Sequence, residues 1–507
     1  MKKYSDLEYL KLSKFKKILY KLVCFFVAIP NFFLAIGKGI WNGIKKIGTT
    51  IAGIFKEIVC TFINGSTSTR ISYLVMGYGN AARGQVLRGV LFFLFEVIFI
   101  VYMVLYGGYW LGKFDNLGDR GREQIYNELY DTFEYVYYDD SFKILLYGIL
   151  TIFFIIGFAY TWYLNIKQNK LIDEIVASGK KLKSGKDDIR SLVDDQFHKT
   201  LLALPIIGIL LFTVLPTIFM ILVAFTNYDK NNDGLVNLFT WVGLDNFNKL
   251  LTWSNGSDNF SAVFGEILAW TLMWAILATF TNYFLGMFVA IMINKKGIKF
   301  KKLWRGLLVL TIAIPQFISL IYVSKMFDTN GIINGFLINN GFIKDAIPFW
   351  TDKNLSRVMV VLVNIWVGIP YLMLTTTGVL MNIPADLYES AKIDGANAFQ
   401  QYVKITLPYM LFVTGPYLLT SFIGNLNNFN VIFLLTGGAP LKINGATAGG
   451  AAGETDLLIT WLFKITTNDS DYKLASVIGI IIFVIVAVLS LVVYNLMPSN
   501  KNEEDYS

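Results

Sequence analysis

The sequence is poor in charged residues, in histidine and in cysteine. Asp, Glu, Lys and Arg make up 16% of its 507 residues, whereas 55% are hydrophobic. A soluble chain of this length carries about 25% charged residues, so the composition argues against a soluble globular protein. His198 is the single histidine, which excludes a histidine-based metal site or catalytic triad, and the two cysteines show no metal or disulfide spacing. A polytopic membrane protein is therefore the leading class.

The sequence also lacks a nucleotide-binding loop. The nearest candidate, GKKLKSGK at 179–186, has five residues between its glycines where the phosphate-binding motif has four. Asp187 follows it, where that motif has a Ser or Thr to hold Mg²⁺. The net charge of +8 is explained by Lys- and Arg-rich cytoplasmic loops rather than by nucleic-acid binding. We expect this chain to have no enzymatic activity, no cofactor, no metal site and no nucleic-acid partner.

Apolar runs of about 20 residues are needed to cross a bilayer as a helix. The sequence has eight runs of this kind, and the predicted fold class is an all-α polytopic membrane protein with about eight transmembrane helices. The runs lie at 88–111, 143–164, 201–226, 266–294, 304–326, 357–380, 409–435 and 475–497.

The connectors between these runs predict their orientation. Segment 295–305, KKGIKFKKLWR, has six basic and no acidic residues, which indicates a cytoplasmic loop. Alternation then predicts that both termini, region 165–199 and stretch 381–408 lie inside. Region 113–141, with eight acidic against three basic residues, falls outside. So do the connectors 227–265, 327–356 and 436–474. We expect a multi-pass protein of the bacterial cytoplasmic membrane.

The first 86 residues form a separate extension. Isoleucines recur every three or four residues among lysines, which predicts an amphipathic helix with a basic face; they are Ile40, Ile44, Ile47, Ile51, Ile54 and Ile58. Such a helix is suited to lying on an anionic inner leaflet, with membrane lipid as its partner. Two alternatives stay open. The helix could pack on the protein's own flank, or a ninth spanning helix could run over 18–36, although Lys21 and Pro30 interrupt that region.

A polar, glycine-broken stretch, ESAKIDGANAFQQYVKITLP at 389–408, lies between two apolar runs. Pro384 can begin a helix at its first turn, where the missing N–H costs nothing. The Asp-Gly pair at 394–395 then favours a turn, because glycine tolerates positive φ. A second short helix follows, and Pro408 marks the start of the next membrane helix. The region 382–408 is thus predicted to be a helix–turn–helix on the cytoplasmic face.

The spacing within this stretch resembles the coupling loop of binding-protein-dependent ABC importer permeases. The family pattern is Glu-Ala-Ala, three residues, Gly, nine residues, and Ile-x-Leu-Pro. One position departs from it, a serine in place of the first alanine, and the sugar-importer variant adds the IDGA found at 393–396. The resemblance implies a joint that docks into a cytoplasmic ATPase and receives the motion driven by ATP. The positions so implied are Glu389, Ser390, Ala391, Asp394, Gly395, Ala396, Ile405, Leu407 and Pro408.

Three further segments are similar to the maltose/maltodextrin permeases of this family that carry the sugar site: IWVGIPYLML at 365–374, SFIGNLNNFNVIFLLTGG at 421–438 and GETDLLITWLFKIT at 453–466. The resemblance implies an oligosaccharide site midway across the membrane. It would be lined by Trp366, Val367, Gly368 and Tyr371 on one helix and by Ser421, Gly424, Asn425 and Asn428 on another. Amides pair with sugar hydroxyls and aromatic rings offer flat faces to a pyranose. The alternative is that the asparagines join helices and the aromatics only pack.

The resemblance covers roughly 200–500 and implies the organisation of the chain. A permease core at 201–498 follows the extension 1–86 and two helices with a basic loop at 87–200, and a cytoplasmic tail at 499–507 ends it. The implied partners are a second homologous permease subunit in a heterodimer, a cytoplasmic ATPase dimer that binds the ATP, and an extracellular sugar-binding protein. Enterobacterial relatives insert a large folded domain after the third spanning helix. Connector 227–265 is too short for one, so smaller loops, including 436–474, are expected to hold the binding protein.

Gly424 stands where the similar permeases have an aromatic residue, which leaves ring stacking and substrate length open.

Two alternatives to a maltodextrin permease also stay open. The first is the same architecture carrying another oligosaccharide, such as a galacto-oligosaccharide. An ion-coupled secondary transporter is the second alternative. It would need a carboxylate near the middle of a span, whereas Glu96 and Glu266 are predicted near the ends of theirs.

Overall fold

The computed structural model describes residues 14–180, 182, 190, 194, 196–251, 260–295, 297–442 and 451–496. The predicted tail at 499–507 and most of the GKKLKSGK loop lie outside these residues. Within them the regular structure is helical apart from one antiparallel hairpin, formed by β1 Arg122–Asn127 and β2 Thr132–Tyr137. The all-α class is confirmed. The hairpin, in the acidic connector 113–141, was not predicted.

The helices are numbered in chain order. They are α1 Lys14–Asn64, α2 Thr67–Ile71, α3 Tyr78–Ala82, α4 Val86–Gly112, α5 Ser141–Ala177, α6 Phe197–Val223, α7 Asp245–Leu251, α8 Phe260–Asn294, α9 Lys301–Ala313, α10 Gln316–Met326, α11 Ile332–Asn339, α12 Lys353–Leu380, α13 Ala385–Ile393, α14 Ala398–Leu426, α15 Phe429–Leu435, α16 Leu458–Thr467 and α17 Tyr472–Leu496. Three of them contain a π-helical turn, at Met103–Gly107 in α4, Leu210–Val214 in α6 and Tyr402–Thr406 in α14.

Among the described residues, 8 helices are long and apolar enough to cross a membrane. They are α1 (over Gly37–Asn64), α4, α5, α6, α8, α12, α14 and α17. The number of candidate spanning helices agrees with the prediction, but α1 is among them and the predicted span 304–326 is not. The predicted span 304–326 is two helices, α9 and α10, that meet at a bend of 91°. Pro315 causes the bend, because it lacks an N–H and holds Ile314 in an extended conformation with ψ 125°.

Two other prolines do not act as the sequence suggested. Pro408 does not begin a helix, since α14 already runs from Ala398 and ends at Leu426, before the predicted limit of 435. A π-turn directly precedes this proline, where Leu407 N–H bonds back to Tyr402 O. Pro30 does not interrupt the N-terminal region, because α1 is one continuous helix of 51 residues.

The chain divides into two units. In the first, Met1–Asp115 and Leu145–Leu215, residues 65–85 fold back on α5 through buried polar side chains. Arg83 bonds to Asp173 and Asn169, and Gly77 N–H donates to Asn165 Oδ1 at 3.0 Å. Buried polar groups that find partners in this way hold a segment in one position.

The second unit, Asn116–Ile144 and Pro216–Ser507, is built around α8 and α12. These helices run side by side in the same direction, with Asn282 against Gly368 and Gly286 against Leu372. A Cβ at Gly286 would lie 2.6 Å from Leu372 Cβ, so only glycine permits this approach. The pair fixes the face of α12 that carries the predicted sugar-binding residues.

Large apolar side chains on the spanning helices are exposed on the surface of the chain. Val104 of α4, Phe212 of α6 and Phe483 of α17 are 78%, 82% and 70% exposed. Soluble proteins rarely expose contiguous apolar surface of this extent. Exposure of this extent is typical of helices that lie in a membrane, and the protein is a multi-pass membrane protein.

Candidate functional site

The predicted aromatic residues of α12 lie opposite the bend between α9 and α10. Trp366, Val367 and Tyr371 line a cavity of about 190 Å³ together with Pro315 and Gln316. Trp366 is 48% and Tyr371 is 54% exposed, so both rings present a free face. Sites for small ligands typically measure about 300–1,000 Å³, so this wall alone does not enclose an oligosaccharide.

The predicted residues of α14 lie near its C-terminal end. Ser421, Gly424 and Asn425 are three and four residues apart within α14, which places them on one side of that helix. Asn428 lies beyond the end of α14 at Leu426 and begins α15. Asn425 Nδ2 donates to Thr279 Oγ1 at 3.0 Å.

Asn428 closes this break. Its Nδ2 donates to Asn425 Oδ1 at 3.3 Å, and its Oδ1 accepts from Val431 N–H at 3.3 Å, which caps α15. The asparagines therefore join helices, as the alternative interpretation proposed. Each amide keeps a second N–H that these bonds do not use, so binding of a sugar hydroxyl is not precluded.

Helix α8 connects the two predicted groups. Gly368 of α12 packs on Asn282, where a Cβ would lie 2.3 Å from Nδ2, and Asn425 bonds to Thr279 three residues earlier. Gly368 is thus explained by close packing. Gly424, in contrast, has no atom within 4 Å of where its Cβ would be, so open space adjoins it.

Asn364 is a candidate that the sequence analysis missed. It lies on α12 one turn before Gly368 and is 5% exposed. Its Nδ2 has no hydrogen-bond partner within the described chain, and neither has Oδ1 of Asn282. Burying an unpaired amide costs about 1–3 kcal/mol, so a donor and an acceptor are available here to a ligand or a water. The signal in the sequence was a lone asparagine in the apolar run VLVNIWVGIP.

The polar stretch folds as a helix, a turn and a second helix. Helix α13 ends at Ile393, and Gly395 adopts φ +76°, the positive value expected of this turn. Ala396 N–H bonds to Ala391 O at 2.8 Å, which closes the turn. Asn397 and Gln400 then form a reciprocal capping box at the start of α14.

Side-chain bonds fix the two helices of this stretch to each other. Tyr388 Oη and Thr406 Oγ1 lie 2.9 Å apart, and Gln401 Nε2 donates to Ala396 O at 2.9 Å. Of the predicted positions, Glu389, Ser390, Asp394, Gly395 and Pro408 are exposed, whereas Ala391, Ala396, Ile405 and Leu407 are half-buried. The stretch is a pre-formed surface element.

Two apolar side chains stand out on this element. Ile393 is 87% and Phe399 is 73% exposed, on either side of the turn. The sequence analysis did not single them out, although both adjoin the Gly395 turn in the sequence IDGANAF. Single exposed apolar side chains are common on protein surfaces, so these two are candidates for a contact only because they flank the turn of the predicted coupling motif.

A cluster of ion pairs lies at the base of connector 436–474. Glu454 Oε2 accepts from Lys353, Arg357 and Lys442 at 3.0–3.1 Å, and Lys442 also pairs with Glu266 at 2.6 Å. Burial raises the pKa of Glu454, but hydrogen bonds from Lys353 and Lys442 outweigh this effect and hold that pKa below its usual value. The carboxylate is therefore ionised and joins α8, α12 and the connector.

The described residues contain no group of three or more His, Cys, Asp and Glu side chains that could hold a metal ion. The clustered carboxylates of the ion-pair network are instead neutralised by lysine and arginine.

Comparison with known proteins places these features in a family. Residues 282–499 match the model of the binding-protein-dependent transport system inner membrane component. Over 441 residues the chain is 32% identical to the maltodextrin transport system permease protein MalC of Streptococcus pneumoniae, covering 85% of this chain and 96% of MalC. Over 367 residues it is 34% identical to the galactooligosaccharides transport system permease protein GanP of Bacillus subtilis, covering 72% of this chain and 85% of GanP.

A solved structure is also similar, that of a bacterial ABC transporter involved in the import of the acidic polysaccharide alginate. The identity is 22% and the TM-score 0.47, covering 61% of this chain and 97% of that one.

Proposed function

This chain belongs to the binding-protein-dependent transport system inner membrane components, and we propose that it is the permease subunit of an ATP-driven importer of maltodextrin-type oligosaccharides. The observation that carries the proposal is the coupling stretch 389–408. Its motif lies on an exposed, internally bonded turn with Ile393 and Phe399 projecting from it. Similarity to MalC over 96% of that protein's length supports the substrate class.

The coupling stretch is the proposed contact with the ATPase. Ile393 and Phe399 would enter an apolar cleft, and the exposed carboxylate of Glu389 would pair with basic groups beside it. Tyr388 and Gln401 tie the turn to α14, so a push on the turn moves that helix. ATP hydrolysis is then the work of a separate ATPase dimer, and this chain supplies no catalytic group.

The proposed sugar-binding residues form one side of the transport pathway through the membrane. Trp366 and Tyr371 offer ring faces, and the amides of Asn364, Asn425 and Asn428 offer donors for neutral hydroxyls. The cavity beside Trp366 is smaller than an oligosaccharide site requires. A second, homologous permease subunit would therefore complete the enclosure, as the heterodimer expectation requires.

The proposed orientation has both termini and the coupling stretch in the cytoplasm. Connector 436–474 then faces the extracellular binding protein, supported at its base by the Glu454 ion pairs. Membrane lipid is the expected partner of the N-terminal helix.

A galacto-oligosaccharide importer is the second candidate, because GanP is 34% identical to this chain. An ion-coupled transporter is disfavoured by the two carboxylates considered for it. Glu96 is the eleventh of the 27 residues of α4, so the prediction that it lies near the end of its span is wrong, but its Oε2 accepts from Met76 N–H at 2.8 Å. Glu266 is paired with Lys442, so both carboxylates already have partners within the chain.

The test is reconstitution of the chain with its partner permease, ATPase and binding protein in proteoliposomes. We expect maltotriose to stimulate both ATP hydrolysis and its own uptake, and a galactotriose of equal length to stimulate neither. Stimulation by galactotriose alone would identify the second candidate. ATP-independent uptake driven by a proton or sodium gradient would contradict the importer proposal altogether.

A further inference from the structure

The N-terminal helix α1 has two distinct faces over residues 41–62. At about 100° per residue, one side of the helix carries only large apolar side chains. Ile58 on this side is half-buried, and the others are exposed by 46–68%; these are Trp41, Ile44, Ile47, Ile51, Phe55, Val59 and Phe62. Asn42, Thr49 and Cys60 lie on the opposite side, and Lys38, Lys45 and Lys56 lie along the border between the two faces. This is the pattern of a helix at a polar–apolar boundary.

The C-terminal end of α1 is held at a defined position on α5. Glu57 accepts from Tyr163 Oη at 2.9 Å and from Lys170 Nζ at 3.1 Å. Arg70, just beyond the helix, donates to the carbonyls of Phe62 and Ile63. The apolar run of α5 ends at 164, so these contacts put Glu57 near the edge of the hydrocarbon layer. That edge is the cytoplasmic one if the orientation proposed above is correct.

This position allows a crossing helix to be assessed. If α1 ran across the bilayer from Glu57, the adjacent Lys45 and Lys46 would lie about 17 Å further in, because a helix rises 1.5 Å per residue. That depth is near the middle of a hydrocarbon layer about 30 Å thick. Lysine there is among the most unfavourable residues for insertion. The segment Gly37–Asn64 is long and apolar enough to cross a membrane, so it is the positions of the two lysines that argue against a crossing.

The apolar face packs on the protein only at its C-terminal end. There Glu57 bonds to Tyr163 and Lys170, the Ile58 carbonyl accepts from Tyr73 Oη, and the Phe62 ring lies edge-on to the Tyr73 ring at 5.2 Å. From Trp41 to Phe55 the apolar side chains are left exposed, with lysines beside them.

We propose that α1 lies in the plane of the inner leaflet, with its apolar face in the acyl region and its lysines bound to anionic phospholipid headgroups. Long lysine side chains at the border of the two faces can reach the phosphates while their methylene groups stay in the apolar layer. The Glu57 contacts then hold one end of a membrane-bound helix against the permease. The leaflet concerned depends on the proposed orientation, whereas the in-plane position does not.

A pair of labelled variants tests this position in the reconstituted complex. Ile44→Cys and Asn42→Cys, each in a background with Cys24 and Cys60 replaced by serine, would carry an environment-sensitive fluorophore. The two sites are two residues apart but on opposite faces. Nitroxide lipids with the label just below the headgroup or deep in the chain would measure depth, and iodide would measure exposure to water.

For an in-plane helix we expect the Ile44 label to be quenched most by the shallow nitroxide and the Asn42 label most by iodide. A crossing helix would put both labels about 20 Å beyond Glu57, so that deep nitroxides quench both, and this result would overturn the proposal. Quenching of neither label by lipid nitroxides would overturn it as well, because α1 would then be covered by protein.

Lipid charge is tested by comparing vesicles of phosphatidylcholine alone with vesicles that also contain phosphatidylglycerol. Each lysine near an anionic surface favours binding by about fivefold. The double variant Lys38→Gln and Lys45→Gln, at the border of the two faces, should therefore shift the ratio of bound to released helix about 25-fold towards release, in the phosphatidylglycerol vesicles only. Equal behaviour in both vesicles would contradict the anionic-lipid assignment. Sugar-stimulated ATP hydrolysis is measured separately in the same vesicles, so a failure of the transport proposal is distinguishable from a failure of this one.

Discussion

Replacing Gly395 tests whether the turn at the coupling stretch transmits the action of the ATPase. Gly395 has φ +76° and no atom within 4 Å of where a Cβ would be. Alanine therefore meets no steric clash and incurs only the backbone cost of this conformation, about 1 kcal/mol. Proline cannot reach this φ, and it also removes the N–H that bonds to Lys392 O at 3.0 Å. Its cost is about 3 kcal/mol or more.

If the ATPase binds only the turn conformation, the free-energy cost of each substitution lowers the affinity for the ATPase by a corresponding factor. We expect Gly395→Ala to weaken binding about fivefold and Gly395→Pro more than about 100-fold. All spans should still insert, because the substitution lies outside them. The assays are co-purification of the ATPase with each variant and sugar uptake by the reconstituted complex.

Gly297 provides a matched control in the same chain. It also has positive φ, +97°, with no atom within 4 Å of a Cβ, and it lies in the basic connector predicted on the same side of the membrane. Gly297→Ala and Gly297→Pro impose a similar backbone strain away from the coupling stretch, and we expect ATPase binding to be unchanged. If Gly395→Pro binds the ATPase and imports sugar as well as Gly297→Pro does, the stretch is only a connector and the coupling role is refuted.

Three further outcomes follow from the site. Asn425→Ala should lower the apparent affinity for the transported sugar about fivefold or more, since a neutral buried hydrogen bond is worth about 1 kcal/mol; unchanged uptake kinetics would remove this residue from the site. Gly368→Ala should destabilise the purified protein by about 1–3 kcal/mol, because its Cβ would lie 2.3 Å from Asn282 Nδ2. Gly424→Ala, the same change into open space within α14, should instead raise stability by up to about 1 kcal/mol, because alanine favours a helix more than glycine does. Equal destabilisation by the two substitutions would contradict the packing argument. The folded state holds the pKa of Glu454 below the ordinary carboxyl value of about 4.3, so the ionised carboxylate stabilises the folded protein above that pH. This stabilisation is lost as the pH falls through the lowered pKa. Thermal unfolding is measured from neutral pH down to below the lowered pKa of Glu454. At neutral pH we expect Glu454→Gln to be less stable than the unsubstituted protein by about 3 kcal/mol. On acidification this variant should lose less stability, because it has no carboxylate to protonate at this position.

Features that depend on neighbours in the sequence were predicted well. Apolar runs gave most of the spans, because lipid requires about 20 apolar residues whatever their partners. The turn at Gly395 followed from the Asp-Gly pair, and the structure has its positive φ. The 91° bend at Pro315 was missed although the proline was visible, because the flanking apolar residues were long enough together to pass for one span.

Features that depend on distant residues were beyond the sequence. Thr279 and Asn282 touch the two predicted sugar-binding groups, yet they are separated from them by roughly 90–150 positions in the chain. Their spacing on α8 matters only once α12 and α14 are packed against it. The capping role of Asn428 likewise appears only when α14 ends at Leu426, nine residues before the predicted limit of 435.

The interlock of α8 and α12 restricts how the permease can move. With Gly286 against Leu372 and Asn282 against Gly368, neither helix can slide along the other without backbone meeting a side chain. The pair must therefore turn as one rigid body in any cycle that opens the pathway. Two places close to the pair where the backbone is already interrupted, the Ile314–Pro315 bend and Asn427 between α14 and α15, are then candidates for hinges. Both interruptions border the proposed sugar-binding residues, so a hinge motion there would reshape the site and open the pathway in the same step.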